Sequence, residues 1–141
     1  MRYVVDASTA VRWVLPTPLQ VKALKLRAEY QQNIHELIAP SHFPGEIASA
    51  LTKAERQKLI PVGDAHLLIQ DILNTQPVLY AIDPLFYRAV EISSDTRSGF
   101  YDCLYVALAE QENCELVTAD DKLLRNLQPR FPFILSLASR P

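Results

Sequence analysis

The sequence predicts a single α/β domain in which helices cover both faces of a short, central parallel sheet. Two observations support this: short apolar segments alternate with segments of helical periodicity, and no two apolar segments are joined by a hairpin turn. Strands that are covered on both faces are apolar throughout instead of alternating with polar residues. A chain of 141 residues can bury one core, and it shows no repeats or linkers, so we expect one domain over residues 1–141.

Five short apolar segments have the length and composition of strands. The first is a β-branched run that ends at Asp6, and the second ends before Pro40. The predicted strands are Arg2–Val5, Glu36–Ala39, Val78–Ile82, Leu116–Thr118 and Phe131–Leu137.

The segments between the strands place apolar residues at helical spacing. In the second of them, Leu19, Val21, Leu24 and Ala28 form the expected buried face. Asp83 and Pro84 predict a helix start with a capping carboxylate. The segment Gly99–Glu112 is apolar nearly all round and is therefore expected to be buried. The other predicted helices are Ser8–Leu15, one that begins at Pro18, Pro44–Lys58, Pro61–Asn74 and Asp120–Leu127, and the helix from Asp83 runs to about Ser94.

Composition excludes several classes of protein. Bases number 14 and acids 16, so the net charge of −2 does not indicate a broadly basic nucleic-acid binder. Three glycines are too few for the glycine-rich loops that cradle phosphate. No apolar run reaches the roughly 18 residues of a membrane helix, and Asp6 and Arg12 interrupt what would be a secretory signal. Cys103 and Cys114 fit neither a disulfide framework nor a zinc site, so we expect a cytoplasmic protein with no membrane association.

Four carboxylates are placed where the chemistry of a parallel sheet is expected. Ligands bind beyond the carboxyl ends of the strands. Asp6 follows the first strand, Asp120 follows the fourth, and Glu46 and Asp102 lie in the first turns of helices. We therefore expect the four side chains to meet at one edge. Each acid alone also has a structural explanation, because carboxylates in first helical turns favour the helix dipole and cap free N–H groups.

Asp102 fits the structural explanation least well. Its helical neighbours Tyr105, Val106 and Ala109 place it on an apolar face of a buried helix. A buried carboxylate without a partner destabilises the folded state by several kcal/mol unless a cation or hydrogen-bond donors offset it. Mg²⁺ or Mn²⁺ would supply that charge, since both prefer carboxylate oxygens and water.

Four motifs occur in order along nearly the whole chain: VVDASTAVRWVLP, PSHFPGEIASAL, YDCLYVALAE and LVTADDKLL. Together they resemble the PIN domain, and specifically the VapC-like ribonuclease toxins of type II toxin–antitoxin systems. The resemblance implies a Mg²⁺- or Mn²⁺-dependent endoribonuclease in which activated water attacks phosphorus and the 3′-oxygen leaves. It also implies an RNA substrate, an antitoxin partner and a homodimer.

The same resemblance assigns roles to individual residues. The catalytic and metal-binding acids are Asp6, Glu46, Asp102 and Asp120, with Cys103 where the family usually has Ala. Ser8 and Thr118 match supporting hydroxyl residues that orient the carboxylates, although Ser8 could also be a plain helix N-cap. Asp121 could help to bind a second ion, but capping in a first helical turn is its commoner role.

Two alternatives remain open at this point. Haloacid-dehalogenase-like phosphatases also begin with a strand followed by Asp and carry a late acidic pair, but their second motif Asp is Ser8 here, and no glycine follows Gly99. A receiver domain is not among them, because its acidic pair would follow the first strand. A non-catalytic PIN domain that binds RNA or protein would not need the intact acidic quartet.

Overall fold

A five-stranded sheet, parallel throughout, forms the centre of the computed structural model, which describes residues Met1–Pro141. The strands lie in the order β3-β2-β1-β4-β5, so β1 is central and pairs with β2 on one side and β4 on the other. This confirms the predicted parallel sheet. The strands are β1 (Arg2–Val5), β2 (Glu36–Pro40), β3 (Val78–Tyr80), β4 (Glu115–Thr118) and β5 (Ile134–Ser136).

Seven α-helices connect and follow the strands, as the periodicity predicted. Short 3₁₀ turns occupy Val11–Trp13, Asp83–Leu85 and Leu137–Ser139. None of the helices combines the length and apolar character needed to span a bilayer. The helices are α1 (Ala7–Ala10), α2 (Gln20–Gln31), α3 (Phe43–Arg56), α4 (Asp64–Leu73), α5 (Phe86–Thr96), α6 (Phe100–Gln111) and α7 (Asp121–Leu127).

The sheet is covered on both faces. Successive residues of a strand point to opposite faces, and adjacent pairs such as Val4 and Val5, or Leu116 and Val117, are fully buried. Helix α6 contacts β1, β2 and β4, and its residues from Cys103 to Ala109 are all buried. The first turn of this buried helix therefore lies beside the central strands.

Helix α2 buries a different face from the expected one. Val21 is 79% exposed and Leu24 is also exposed, whereas Ala23 and Leu26 are fully buried. The reason is tertiary: α2 packs against the 3₁₀ turn that contains the buried Trp13. Periodicity alone offers two apolar faces of similar size on this helix, and contact with Trp13 selects one of them.

The expected capping role of Asp83 is wrong. Asp83 begins a 3₁₀ turn whose first bond joins the Leu85 N–H to the Ile82 carbonyl, and α5 begins only after Leu85. No backbone N–H donates to the Asp83 carboxylate, which is exposed. The proline in this segment starts a tighter turn, so the acid is placed one turn too early to cap α5.

Candidate active site

The four acids singled out from the sequence line one cleft of about 430 Å³. Asp6 comes directly after β1, and Asp120 follows β4 with one residue between them. Glu46 and Asp102 lie in the first turns of α3 and α6. All four thus reach the same edge of the sheet because parallel strands end together and the helices that approach this edge start there.

Asp6 is the most enclosed of the four carboxylates. The Ser8 hydroxyl donates to Asp6 Oδ1 at 2.7 Å, the Thr118 hydroxyl donates to Oδ2 at 2.5 Å, and the Thr9 N–H donates to Oδ1 at 3.1 Å. Asp6 is therefore itself the N-cap of α1. Ser8 is not the cap that one interpretation of the sequence allowed; its hydroxyl is used to hold the carboxylate.

The two hydroxyl residues also tie the end of β1 to the end of β4. The Ser8 and Thr118 hydroxyl oxygens lie 3.3 Å apart, and Ser8 Oγ accepts the Ala119 N–H at 3.0 Å. Thr118 Oγ1 accepts the Asp120 N–H at 3.0 Å. This network fixes the backbone that carries the first and the last of the four acids.

Burial raises the pKa of Asp6 to about 6. The hydrogen bonds from Thr118, Ser8 and the Thr9 N–H act in the opposite direction but do not outweigh the loss of hydration, and the charge of Asp120 raises the pKa further. A carboxylate in this position is held in one orientation while its charge remains poorly compensated.

Asp102 is less enclosed and entirely without donors, since no group of the protein donates a hydrogen bond to it. Its pKa is raised to about 6, first by burial and then by the charges of Asp120, Glu46 and Asp6, with Lys122 opposing. The sequence-based expectation that Asp102 lacks a compensating partner is thus matched by its surroundings. Its ionised form therefore lacks a compensating partner in the protein.

Glu46 is held by two residues that the sequence analysis did not assign to it. The Tyr105 hydroxyl donates to Glu46 Oε1 at 2.7 Å, and His42 Nε2 lies 3.3 Å from the same oxygen. Burial acts to raise the pKa of Glu46, but His42 and Tyr105 outweigh it and the pKa is lowered. The i, i+4 spacing of His42 and Glu46 was an available signal; the contact with Tyr105 depends on how α6 packs beside α3.

Asp120 combines a structural role with its position in the cleft. Its Oδ1 accepts the N–H groups of Lys122 and Leu123 at 2.9 and 3.1 Å, so Asp120 is the N-cap of α7. Asp121 lies in the first turn and accepts no backbone N–H, and the capping role expected for it is wrong because Asp120 fills that role. The second oxygen of Asp120 remains free for the cleft.

Comparison with known proteins identifies the family. The PIN domain family matches residues 3–127. The chain belongs to the PIN-domain family. This PIN domain is 32% identical to Ribonuclease VapC12 of Mycobacterium tuberculosis over 124 residues, 87% of this chain and 90% of the relative. It is 33% identical to Ribonuclease VapC9 of the same organism over 129 residues, 92% of this chain and 94% of the relative.

A solved structure shares the PIN-domain fold of this chain. The crystal structure of PAE2754 from Pyrobaculum aerophilum superposes with a TM-score of 0.66 at 23% identity, over 99% of this chain and 94% of that chain. The family match confirms the resemblance drawn from the four motifs. It also excludes the haloacid-dehalogenase-like alternative, which belongs to another family.

The donor set of this PIN domain fits a hard divalent cation that keeps part of its hydration shell. No three His, Cys, Asp or Glu side chains come together as a ready-made metal cage. The cleft instead offers carboxylates spaced along its walls, one of them without any compensating donor. Mg²⁺ is usually bound in this manner, through one or two carboxylates, several waters and the phosphate of a substrate.

Proposed function

We propose that this PIN domain is a Mg²⁺- or Mn²⁺-dependent endoribonuclease and the toxin of a type II toxin–antitoxin pair, with residues 1–141 acting as one nuclease domain. The observation that carries the proposal is the single cleft that gathers four acids, including a carboxylate without donors at Asp102. The ribonuclease names of the two mycobacterial relatives support the same reaction class.

Each acid has a distinct part in this proposal. Asp6 and Asp102 would hold the ion, with Glu46 and Asp120 completing its surroundings. When bound, such an ion stabilises negative charge on the phosphate and promotes the ionisation of water. The reaction is hydrolysis: water attacks phosphorus, the bond to the 3′-oxygen breaks, and that oxygen leaves with a proton.

The remaining polar residues keep the carboxylates in place. Ser8 and Thr118 hold both oxygens of Asp6, so its side chain does not rotate when the cleft fills. Tyr105 fixes Glu46, and its own hydroxyl stays protonated because burial and the nearby Glu46 raise its pKa. Lys53 also lines the cleft and would attract the phosphate backbone.

The proposed partners follow from the VapC relatives. We expect a homodimer, a cognate antitoxin protein and an RNA substrate. Light scattering on the purified protein measures the first. A short neighbouring reading frame for a DNA-binding protein would support the second, and its absence would argue against a toxin–antitoxin pair.

The decisive experiment measures cleavage of total RNA with Mg²⁺, with Mn²⁺ and with EDTA. Wild-type protein should cleave with either ion and stop with EDTA, and Asp6→Asn and Asp102→Asn should abolish cleavage. Asp83→Asn is the matched control, because Asp83 is an exposed acid in the 3₁₀ turn after β3 and lies outside the cleft. Unchanged cleavage in both cleft variants would disprove the site assignment, whereas RNA binding without cleavage by the wild type would favour the non-catalytic alternative.

A further inference from the structure

A chain of aromatic rings runs from the surface to the acidic cleft. Tyr87 contacts Phe86, Phe86 contacts Phe100, and Phe100 contacts Tyr101, with ring centroids 5.6, 5.2 and 5.4 Å apart. We call these four residues the aromatic strip. Tyr87 is 82% exposed, Tyr101 59% and Phe86 45%, whereas Phe100 packs against the core and anchors the strip.

His42 connects the aromatic strip to the cleft. Its ring lies 5.4 Å from that of Tyr101 and 4.9 Å from that of Tyr105, the residue that donates to Glu46. His42 is nine-tenths buried, and its Nε2 lies 3.3 Å from Glu46 Oε1. It therefore supports Tyr101 from behind with an aromatic surface.

A side pocket of about 340 Å³ lies between the strip and the cleft. Its lining consists of His42, Gly45, Glu46, Ser49 and Tyr101. Glu46 and Ser49 also line the acidic cleft, so the two cavities are neighbours. The space above Gly45 is open, because a Cβ built there meets no atom within 4 Å.

We propose that the side pocket and the aromatic strip bind unpaired bases of single-stranded RNA that flank the phosphate in the acidic cleft, with Tyr101 as the first stacking surface. The inference rests on the proposed function for the identity of the ligand. Bases of a single strand expose their faces and stack on aromatic side chains with little dependence on sequence. Because Glu46 and Ser49 line both cavities, a base in the side pocket lies beside a phosphate in the cleft.

A nucleic acid explains the position of the strip better than a second copy of the chain. The strip leads into the side pocket, which shares Glu46 and Ser49 with the acidic cleft, so a nucleic acid that places a phosphate in the cleft also reaches the strip. The cations nearby are limited: Arg88 on the same helix as Phe86 and Tyr87 is paired with Glu91 and Glu110. Stacking should therefore supply much of the affinity, and the dependence on salt should be weak.

The test measures binding of a mixed-sequence single-stranded RNA by fluorescence anisotropy, in EDTA so that the RNA is not cleaved. Tyr101→Leu removes the first ring, and Gly45→Leu fills the open space of the side pocket. Each should weaken binding by about fivefold to a hundredfold, the range for loss of one stacked base. Tyr101→Phe should restore most of the affinity, and double-stranded RNA of the same length should bind weakly to all variants.

Leu67→Ala is the matched control, because Leu67 is 62% exposed on α4 and belongs to neither cavity. Circular dichroism verifies that each variant is folded, and light scattering on the same samples gives the oligomeric state. Unchanged RNA affinity in Tyr101→Leu and Gly45→Leu, or no RNA binding by the wild type, overturns the proposal. A changed oligomeric state with unchanged RNA affinity overturns it in favour of a second copy as the occupant.

Failure of the proposed function has a different signature. A wild-type protein that binds single-stranded RNA through Tyr101 but does not cleave it with Mg²⁺ or Mn²⁺ would refute the nuclease and leave the base-binding site standing. Cleavage by both wild type and Tyr101→Leu with equal KM would refute only the base-binding site.

Discussion

The hydroxyl of Tyr105 donates a 2.7 Å hydrogen bond to Glu46 Oε1, joining α6 to α3 across 59 residues of sequence. Together with His42, Tyr105 orients the one acid in the cleft whose pKa is lowered. Asp6 and Asp102 have raised pKa values, so the protein stabilises the anion of Glu46 but not the anions of Asp6 and Asp102.

Tyr105→Phe tests the importance of that contact. It removes the donor while keeping the ring, and we expect cleavage to fall about tenfold, since a hydrogen bond to a charged group contributes roughly 1.5–3 kcal/mol. Tyr30→Phe is the control, because the Tyr30 hydroxyl donates to the Gln76 carbonyl away from the cleft. Equal cleavage by both variants would assign Tyr105 a packing role alone.

Asp102→Asn should separate stability from activity. We expect cleavage to fall by at least about a hundredfold, because one of the two carboxylates proposed to hold the ion is gone. The free energy of unfolding in EDTA at neutral pH should rise by about 1–2 kcal/mol. The raised pKa of Asp102 alone corresponds to a larger gain in stability, but Asp102 is partly exposed and solvent screening reduces that gain. Urea denaturation measures the change, and a loss of stability would contradict the unfavourable environment assigned to this carboxylate.

The stability of the metal-free protein should depend on pH in a defined direction. Asp6 and Asp102 have folded pKa values of about 6, above the values expected in the unfolded chain. The folded state therefore binds more protons between about pH 4 and pH 6, so the contribution of these acids to stability falls as pH rises through that window and is constant above it. Urea denaturation in EDTA across this range measures the effect.

Other groups titrate in the same window, and their contribution to the pH dependence of stability must be subtracted. Burial lowers the pKa of His35, which gives the opposite slope because its protonated form is disfavoured in the folded state. The difference between wild type and Asp102→Asn isolates the carboxylate, and we expect wild type to lose more stability than the variant as pH rises. Identical pH profiles would contradict the raised pKa of Asp102.

Divalent cations should reverse the loss of stability that accompanies ionisation of Asp6 and Asp102. Mg²⁺ or Mn²⁺ binds the ionised carboxylates, so the rise in Tm on adding either ion should be larger at about pH 7.5 than at about pH 5. Differential scanning calorimetry with and without EDTA checks this. Equal rises at both pH values would mean that the ions bind elsewhere.

Thr118→Val tests the link between β1 and β4. It removes the donor to Asp6 Oδ2 and the acceptor of the Asp120 N–H, and we expect a loss of about 1–3 kcal/mol in the free energy of unfolding. The pKa of Asp6 should rise further, and the acid limb of the pH profile of cleavage should move upwards. Thr96→Val is the control, because the Thr96 hydroxyl donates to the Ile92 carbonyl of its own helix and Thr96 does not line the cleft.

The location of the four acids was predictable because it depends on connectivity. A residue that follows a parallel strand, or begins the helix after it, lies at one edge of the sheet whatever the details of packing. Asp6, Glu46 and Asp120 satisfy this rule, whereas Asp102 begins α6, the helix that leads into β4. The structure gathers all four in one cleft. Their catalytic and metal-binding roles stay predictions until cleavage is measured.

Contacts between distant segments could not be predicted from periodicity. The burial of Ala23 and Leu26 in place of Val21 and Leu24 depends on Trp13, and the orientation of Glu46 depends on Tyr105. The expected capping roles were wrong for two acids: Asp83 lies one turn before the start of α5, and Asp121 lies one residue after Asp120, the actual cap of α7. Local signals place an acid near a helix start, but hydrogen-bond geometry decides which residue caps it.

The pairing of the ends of β1 and β4 has a consequence for the synthesis of the chain. Asp6 depends on the hydroxyl of Thr118, which leaves the ribosome 112 residues later. A nascent chain that ends before β4 lacks a neighbour of its central strand and two of the groups that line or support the cleft. Domains fold as units during translation, so the acidic cleft assembles only after β4 has been made.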